Sequence, residues 1–488
     1  MNQEISYYLG FDCSTQSMKY TLIDHQLNII AHHQIKYDTL PFNTQNGIMI
    51  STLDPNDITT PVLVFIASLD YLLSHLKQHY GDLCPWIKGI SCSGQQHGSV
   101  YFKNGSRSIL NHLNVEFSLL DQLSDIFTVS QTPIWMNSST TKQCRDFEYQ
   151  FGGAELLCKS TGSRAHERFT IHHILKLIQT CPDVYHNTER ITLISNFLST
   201  LLVGDYTPID ISDGSGMNFM NIETGKWDPI GIDIINQYGK LFSFSLVIDS
   251  SHSIVDKLGV ELVPCHTIVG TLSSYYIKRY NFNSDCKIIS SSGDNPCTLV
   301  GFKIKQDTEL CISLGTSTTI LGIMKTLPST LLLNTHVLKS PLNEFEYMVM
   351  LCFKNGGLSR DLMNQEYFQG DWTLFCKCLE QSSVGNDGYI GFWYHYPELL
   401  PYTQQSILKK FDGDDQVIER FPDIKYECRG IIESQCFGIR KYSRQLGMKP
   451  KSILVTGGGS KNQSILEILC NVMDCKVYVW SIVFDARN

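Results

Sequence analysis

The stretch YYLGFDCSTQSMKYTLI at residues 7–23 decides the fold. A short apolar run, a Ser/Thr-rich turn and an alternating run predict two strands joined by a polar hairpin. The same order of strand, turn and strand returns in ELCISLGTSTTILGIM at residues 309–324. Two copies about 300 residues apart indicate two related domains rather than a short-period repeat array. We therefore predict two domains, residues 1–300 and residues 301–488.

The elements around these hairpins predict an α/β fold. Thr60 is expected to cap a helix that has Pro61 at its first position, and apolar residues then recur at helical spacing through Leu76. A strand follows at residues 87–92, and TGGGSKN at residues 456–462 lies between a predicted strand and a predicted helix. Strands that lead into helices are typical of α/β proteins.

The composition limits the class of protein. The 488 residues carry 39 basic and 48 acidic side chains, a net charge of −9, without the basic stripe of a nucleic-acid binder. No apolar stretch reaches the roughly eighteen residues of a membrane span, and the first residues lack the pattern of a secretory signal. The 17 cysteines are scattered, as in a reducing compartment. We expect a cytoplasmic monomer or homodimer that binds neither nucleic acid nor membranes.

Neither Gly-x-x-x-x-Gly-Lys-Ser/Thr nor Gly-x-Gly-x-x-Gly occurs in the sequence. The two Ser/Thr-rich turns indicate phosphate binding in another form. Backbone amides and hydroxyls of such turns can hold phosphate oxygens. Asp12, at the mouth of the first turn, is placed to hold Mg²⁺. Asp294, on a strand-to-loop corner, is placed to accept the proton of an attacking hydroxyl. Ordinary hairpins and a locally bonded turn aspartate are the alternatives.

A polyol site is suggested by uncharged polar residues. Gln95, Gln96 and His97 follow a predicted strand and supply neutral donors and acceptors, which suit a polyol better than an anion. Arg164 and Arg168 are candidates for sugar hydroxyls or phosphate, and solvated surface arginines are the alternative. The sequence does not decide which of the two reaches a substrate.

Eight segments resemble motifs of the FGGY carbohydrate kinase family. They are LGFDCSTQS at 9–17, SGQQHGS at 93–99, PIWMNSSTT at 133–141, TGSRAHERF at 161–169, PIDISDGSGMN at 208–218, GDNP at 293–296, SLGTS at 313–317 and TGGGS at 456–460. One such motif is a weak signal, whereas eight in the family's order are specific. Within the family, the chain is most similar to the eukaryotic-type xylulose kinases.

The resemblance implies two ribonuclease-H-like domains with a cleft between them, with sugar bound mainly by the first and ATP mainly by the second. It implies ATP-dependent phosphorylation of D-xylulose to D-xylulose 5-phosphate, feeding pentose phosphate metabolism, with Mg²⁺ as the metal. A kinase for another ketose or polyol, or a catalytically impaired sugar- or nucleotide-binding relative, is the alternative.

The resemblance also implies roles for single residues. Asp294 matches the catalytic base and, together with His97, Arg168 and Asn295, the sugar-binding positions. Asp12 matches the residue near the metal. The implied nucleotide contacts are Asp12, Thr15, Thr316, Trp372, Gly457, Gly458 and Asn462.

Three positions depart from the family's pattern. Asn137 stands where the family usually has aspartate, and His166 replaces the usual tyrosine. After Val479 the family continues into a small-residue helix, whereas WSIVFDARN at residues 480–488 is unrelated. We therefore expect the second domain to lack its C-terminal helix, which would cost stability comparable with that of a whole domain.

Overall fold

The computed structural model describes residues 6–242, 253–304, 308–328, 331 and 333–479. The segment that carries the expectation of a missing C-terminal helix, residues 480–488, lies outside the described residues. Among the helices that the structure describes, none combines the length and the apolar character needed to cross a membrane.

The chain divides into two compact units. The first unit contains Met1–Val300 and Leu338–Glu344, and the second contains Gly301–Val337 and Phe345–Asn488. The short return to the first unit is anchored there by hydrogen bonds. The backbone N–H of Lys339 donates to Oγ of Ser215 at 3.1 Å, and the Cys265 thiol donates to the carbonyl of Pro341 at 2.7 Å.

A central sheet organises the first unit. Its order across the sheet is Ile268–Thr271, Lys287–Ile289, Ile87–Gly94, Tyr7–Cys13, Ser17–Asp24 and Ile29–Lys36, and Ser292–Gly293 also pairs with Ile87–Gly94. Tyr7–Cys13 runs antiparallel to Ser17–Asp24 and parallel to Ile87–Gly94. The predicted hairpin is therefore present, and its first strand lies inside the sheet.

Helices and small sheets complete the first unit. The helices are Val62–Tyr80, Ser106–Asn111, Leu119–Leu123, Thr141–Phe151, Ala154–Thr161, Thr170–Thr180, Pro182–His186, Ile194–Val203, Ile211–Ser215, Pro229–Leu241, Ile254–Leu258 and Ser274–Tyr280, with Asp294–Phe302 running across the boundary at residue 300. The small sheets join Met49–Ile50, Ile58–Pro61 and Gln131–Pro133; Ser99–Lys103 and Thr188–Leu193; Ile209–Asp210 and Leu262–Val263; and Met220–Asn221 and Lys226–Trp227.

The helix Val62–Tyr80 forms as the apolar spacing predicts, but its start differs. Phe65, Leu69 and Leu72 are fully buried in the core of the first unit, as expected for one apolar face. Pro61 is the N-cap residue rather than the first helical residue, and the side chain of Thr60 does not cap the helix. The strand Ile58–Pro61, paired with Gln131–Pro133, instead extends through Pro61, and the Thr60 hydroxyl donates to the carbonyl of Gly47 at 3.0 Å.

The second unit repeats the arrangement of the first hairpin. Glu309–Leu314 pairs antiparallel with Thr318–Met324 and parallel with Ser452–Thr456. Tyr347–Phe353 and Lys476–Val479 extend this sheet on either side, and the strand His336–Lys339 spans the boundary between the units. A second sheet contains Ile390–Tyr394, Ile407–Phe411 and Val417–Ile418, and the helices are Gly357–Phe368, Trp372–Glu380, Ile424–Gln445 and Gln463–Met473. The α/β prediction is confirmed in both units.

Candidate active site

Strand register places two carboxylates at one edge of the first unit's sheet. Asp12 lies opposite Ser93 in the parallel pairing, and Gly293 lies opposite Gly94 on the other side of the same strand. Asp294 follows Gly293 directly. The chemistry-bearing ends of these strands therefore meet at the carboxyl edge of the sheet, where ligands bind in open α/β sheets.

Asp294 is half-buried and begins the helix Asp294–Phe302. Its Oδ1 accepts a hydrogen bond from the backbone N–H of Asn295 at 2.9 Å. Burial, followed by the negative charge of Asp12, raises the pKa of Asp294 to about 6. A carboxyl group with this pKa is ionised at neutral pH but binds a proton more readily than an ordinary aspartate. These properties suit a general base.

Gln96 bonds to Asn295 and lies beside Gly293 together with a second buried carboxyl group, that of Asp213. The Asn295 amide donates to Oε1 of Gln96 at 2.9 Å. A Cβ atom on Gly293 would lie 2.5 Å from Cγ of Gln96 and 2.7 Å from Oδ1 of Asp213, so glycine is required there. Burial raises the pKa of Asp213 to about 8, and the Ser195 hydroxyl donates to its Oδ2 at 2.5 Å. Asp213 stands in a quoted motif, but no spacing in the sequence singled it out.

His97 is buried beside this cluster as a neutral imidazole. Its Nδ1 lies 2.9 Å from the carbonyl oxygen of Gly216, and because a carbonyl only accepts, Nδ1 carries the proton. Burial and the positive charge of Arg168 lower the pKa of His97 to about 3. The ring therefore keeps Nε2 as a hydrogen-bond acceptor over the whole physiological range. An acceptor of this kind suits a sugar hydroxyl.

The structure separates the two candidate arginines. Arg164 forms a bidentate ion pair with Glu148, with Nε–Oε1 and Nη2–Oε2 distances of 3.1 Å. Arg168 is half-buried and has no ion pair within the described residues. Its charge acts on His97 and His166. Arg168 is therefore the arginine whose guanidinium is not committed to a carboxylate.

Asp12 and the first turn have the groups needed to bind Mg²⁺ together with phosphate oxygens. Oδ2 of Asp12 accepts from the Ser14 hydroxyl at 2.6 Å and from Lys19 Nζ at 2.8 Å, while its Oδ1 is buried without a partner in the described part of the chain. Mg²⁺ in such sites takes one or two carboxylates, and water and phosphates complete its shell, so one free carboxylate oxygen fits it. No cluster of three or more metal-binding side chains occurs among the described residues.

The Thr15 hydroxyl is bonded within the protein on both sides. Its Oγ1 donates to Gln95 at 3.3 Å and accepts from the Trp135 indole at 2.9 Å. The Ser14 carbonyl accepts from the Tyr37 hydroxyl at 2.9 Å. Because C=O and N–H point in opposite directions across a trans peptide, the N–H of Thr15 points away from Tyr37. The backbone amide is therefore the available group at this position.

A pocket of about 910 Å³ opens in the second unit. Four of the implied nucleotide residues line it: Thr316, Trp372, Gly458 and Asn462. Gly457 is not part of the lining. It has a left-handed φ of +83°, and a Cβ atom there would lie 2.9 Å from the carbonyl carbon of Leu314. A volume of this size accommodates a nucleotide.

The second Ser/Thr turn presents its amides in the same way as the first. The carbonyls of Gly315 and Thr316 accept from the backbone N–H groups of Gly357 and Leu358, both at 3.0 Å. Across trans peptides, the N–H groups of Thr316 and Ser317 therefore point away from the helix Gly357–Phe368. Oriented amides of this kind make an anion-binding turn.

Asn462 fixes one wall of this pocket. Its Oδ1 caps the helix Gln463–Met473 by accepting from the N–H of Ile465 at 3.2 Å, and its Nδ2 donates to the Cys376 sulfur at 3.0 Å. Trp372 is half-buried and packs edge-on against Phe375, with ring centroids 5.0 Å apart. The sequence did not single out Arg360 or Gly459, which also line the pocket.

The departure at Asn137 has a local structural explanation. Its buried Nδ2 donates to Asp57 at 2.7 Å and to the carbonyl of Ile58 at 3.0 Å, and its Oδ1 accepts from Ser139. An aspartate here would lack these donors and would face the Asp57 carboxylate. His166 is half-buried, and its ring packs edge-on against Phe169 at 5.7 Å.

Comparison with known proteins identifies the family. The models of the N-terminal and C-terminal domains of the FGGY family of carbohydrate kinases match residues 125–301 and 415–483. Xylulose kinase 2 of Arabidopsis thaliana is 39% identical over 487 residues, which cover 97% of this chain and 84% of the relative. Xylulose kinase of Mus musculus is 38% identical over 477 residues, covering 96% and 82%.

Solved structures show the same fold. Xylulose kinase from Rhodospirillum rubrum superposes with a TM-score of 0.77 at 11% identity, covering 97% of this chain and 86% of that one. Plasmodium falciparum glycerol kinase with ADP gives a TM-score of 0.73 at 16% identity, covering 97% and 86%. The matches to both domain models, together with 38–39% identity to the curated relatives over nearly the whole chain, establish that the chain belongs to the FGGY family of carbohydrate kinases.

Proposed function

We propose that this chain transfers the γ-phosphoryl group of ATP to D-xylulose and forms D-xylulose 5-phosphate. The observation that carries the proposal is Asp294, a carboxyl group with a raised pKa at the sheet edge that also holds Asp12. The choice of sugar is supported by the names of the 38–39% identical relatives. The seventeen free thiols support a cytoplasmic location, and we propose a monomer or homodimer.

Each candidate residue has a role in this reaction. Asp294 takes the proton from the terminal O5 hydroxyl of the ketose, which makes that oxygen the nucleophile. Asn295 and neutral His97 orient the sugar by hydrogen bonds, and the uncommitted guanidinium of Arg168 donates to its oxygens. These contacts hold the hydroxyl in a reactive position.

The nucleotide contacts follow the two turns and the pocket of the second unit. Asp12 holds Mg²⁺ through its free oxygen, and the metal, when bound, neutralises charge on the phosphates. The amides of Thr15 and Thr316 donate to phosphate oxygens, as oriented backbone N–H groups do in anion sites. Trp372, Gly458 and Asn462 line the nucleotide pocket, and Gly457 holds its glycine turn against Leu314.

The test is ADP release by the purified 488-residue chain with Mg-ATP. D-xylulose is compared with D-ribulose, L-ribulose, glycerol and no sugar. We expect ADP release that depends on D-xylulose. Faster turnover of another sugar would favour a different ketose or polyol kinase, and folded protein without turnover on any of them would favour a binding protein.

Arg168 is expected to matter for sugar binding and Arg164 for stability. Replacing Arg168 with methionine removes a donor to the sugar, and we expect KM for D-xylulose to rise about 10- to 100-fold. Arg164→Met is the matched control, because it breaks the ion pair to Glu148 but removes no proposed contact. It should lower the melting temperature and leave KM nearly unchanged. Initial-rate kinetics measure KM for both variants. A raised KM in Arg164→Met with an unchanged KM in Arg168→Met would instead assign sugar binding to Arg164.

A further inference from the structure

A buried arginine in the nucleotide pocket lacks a carboxylate partner in the described part of the chain. Arg360, on the helix Gly357–Phe368, lines the pocket and is 4% exposed. Its Nη1 donates to the neutral amide oxygen of Gln435 at 2.6 Å. Burial lowers the pKa of the Arg360 guanidinium from its ordinary value, and the nearby Cys436 and Asp361 offset part of this effect.

Gln435 holds this guanidinium in one orientation. Its Nε2 donates to the backbone carbonyls of Asn355 and Gly356, at 2.8 and 3.0 Å. These two bonds orient the Gln435 side chain so that its oxygen faces Arg360. Nη1 of the guanidinium therefore has a hydrogen-bond acceptor. On the other side, Nη2 lies 3.3 Å from the position that a Cβ atom of Gly459 would occupy. Nη2 thus lies at the glycine turn of the pocket.

The same unit shows how a structural buried arginine is paired. Arg429 is 7% exposed, and its Nε donates to Glu433 at 2.6 Å, so its charge is compensated by a carboxylate. Removing one partner of a buried ion pair is strongly destabilising because the remaining charge is uncompensated. Arg360 has no paired carboxylate of this kind within the described residues, although the charge of the neighbouring Asp361 acts on it. An anionic ligand in the pocket would supply the missing charge.

We propose that Arg360 binds the polyphosphate of the nucleotide rather than its adenine or ribose. The inference rests on the proposed function, which places ATP in this pocket. A guanidinium offers a planar set of donors that matches phosphate oxygens bidentately, and such charge-assisted bonds are stronger than neutral ones. Lys461 lines the same pocket and adds a second cation. Gln435 then acts as a positioning residue for Arg360.

The test compares three ligands, ATP, ADP and adenosine, by isothermal titration calorimetry on the full chain. For Arg360→Met we expect Kd for ATP and for ADP to rise about 10- to 100-fold, and Kd for adenosine to stay unchanged. Arg360→Lys keeps the charge and should fall between wild type and Arg360→Met. Arg440→Met is the matched control, because Arg440 is half-buried in the same unit and donates to the Val472 carbonyl outside the pocket. It should bind all three ligands like wild type.

Two results would overturn the proposal. They are an unchanged ATP affinity in folded Arg360→Met, and an equal loss for adenosine and ATP, which is what a general disturbance of the pocket produces. If Arg360→Met does not fold, Arg360→Lys decides by the same comparison of ligands. Wild-type protein that binds none of the three ligands would refute the proposed function itself, and the inference with it.

Discussion

Asp294→Asn is expected to lower turnover with D-xylulose by about 10²- to 10⁴-fold, the usual contribution of a general base. Asparagine keeps the size of the side chain and can still accept from the N–H of Asn295, so the loss reports on proton acceptance. KM for ATP should change little, because Asp294 belongs to the sugar side of the proposed site. Coupled ADP-release kinetics measure both quantities.

The pH profile tests the same assignment. Since burial and Asp12 raise the pKa of Asp294 to about 6, the group keeps its proton below that pH and is the active base above it. We expect kcat/KM to fall tenfold per unit as the pH drops below about 6. Asp285→Asn, at an exposed turn, is the control and should match wild type in rate and profile. Turnover of Asp294→Asn within tenfold of wild type would contradict the assignment.

Gly457→Ala is expected to destabilise the second unit and abolish detectable ATP binding. The residue has a φ of +83°, and the new Cβ atom would lie 2.9 to 3.1 Å from backbone atoms of Leu314 and Gly315. Left-handed strain and backbone overlap each cost about 1–3 kcal/mol, so the melting temperature should fall by roughly 5–10 °C. Leu314 and Gly315, whose backbone would be displaced, directly precede Thr316. The displacement would therefore move the Thr316 amide that is proposed to bind phosphate. Thermal melts with and without ATP measure both effects.

Gly458→Ala is the matched control at the next residue. No atom lies within 4 Å of its added Cβ, and its φ is outside the left-handed range. The melting temperature should therefore equal that of wild type. Because Gly458 lines the pocket, the added methyl group should raise KM for ATP. Equal melting temperatures for the two variants would show that Gly457 is not under the inferred constraint.

The sequence predicts what depends on short-range pattern. The hairpin at residues 7–23 follows from alternation and a Ser/Thr-rich turn, and the structure has strands there. The sequence also placed Asp12 at the end of one strand and Asp294 after another. The parallel register explains why both lie at one edge of the sheet. Their roles in catalysis stay predictions.

What depends on long-range contacts could not be predicted. Arg164 and Arg168 differ only because Glu148 lies across from one of them. Arg360 has no distinguishing neighbours in sequence, and its hydrogen-bond partner Gln435 lies 75 residues away along the chain. The predicted start of the helix Val62–Tyr80 was wrong for the same reason, since Pro61 belongs to a strand that pairs with Gln131–Pro133, about 70 residues away along the chain.

The return of residues 338–344 to the first unit affects how the chain folds during synthesis. The hydrogen bonds from Lys339 to Ser215 and from Cys265 to Pro341 cannot form while those residues are inside the ribosome. Translation proceeds at about 5–20 residues per second. Residues 338–344 are therefore made a few seconds after residue 300, and the nascent first unit lacks them during that time. During that interval the first unit lacks these two hydrogen bonds, and among the described residues the Ser215 hydroxyl keeps only its bond to the carbonyl of Ser212.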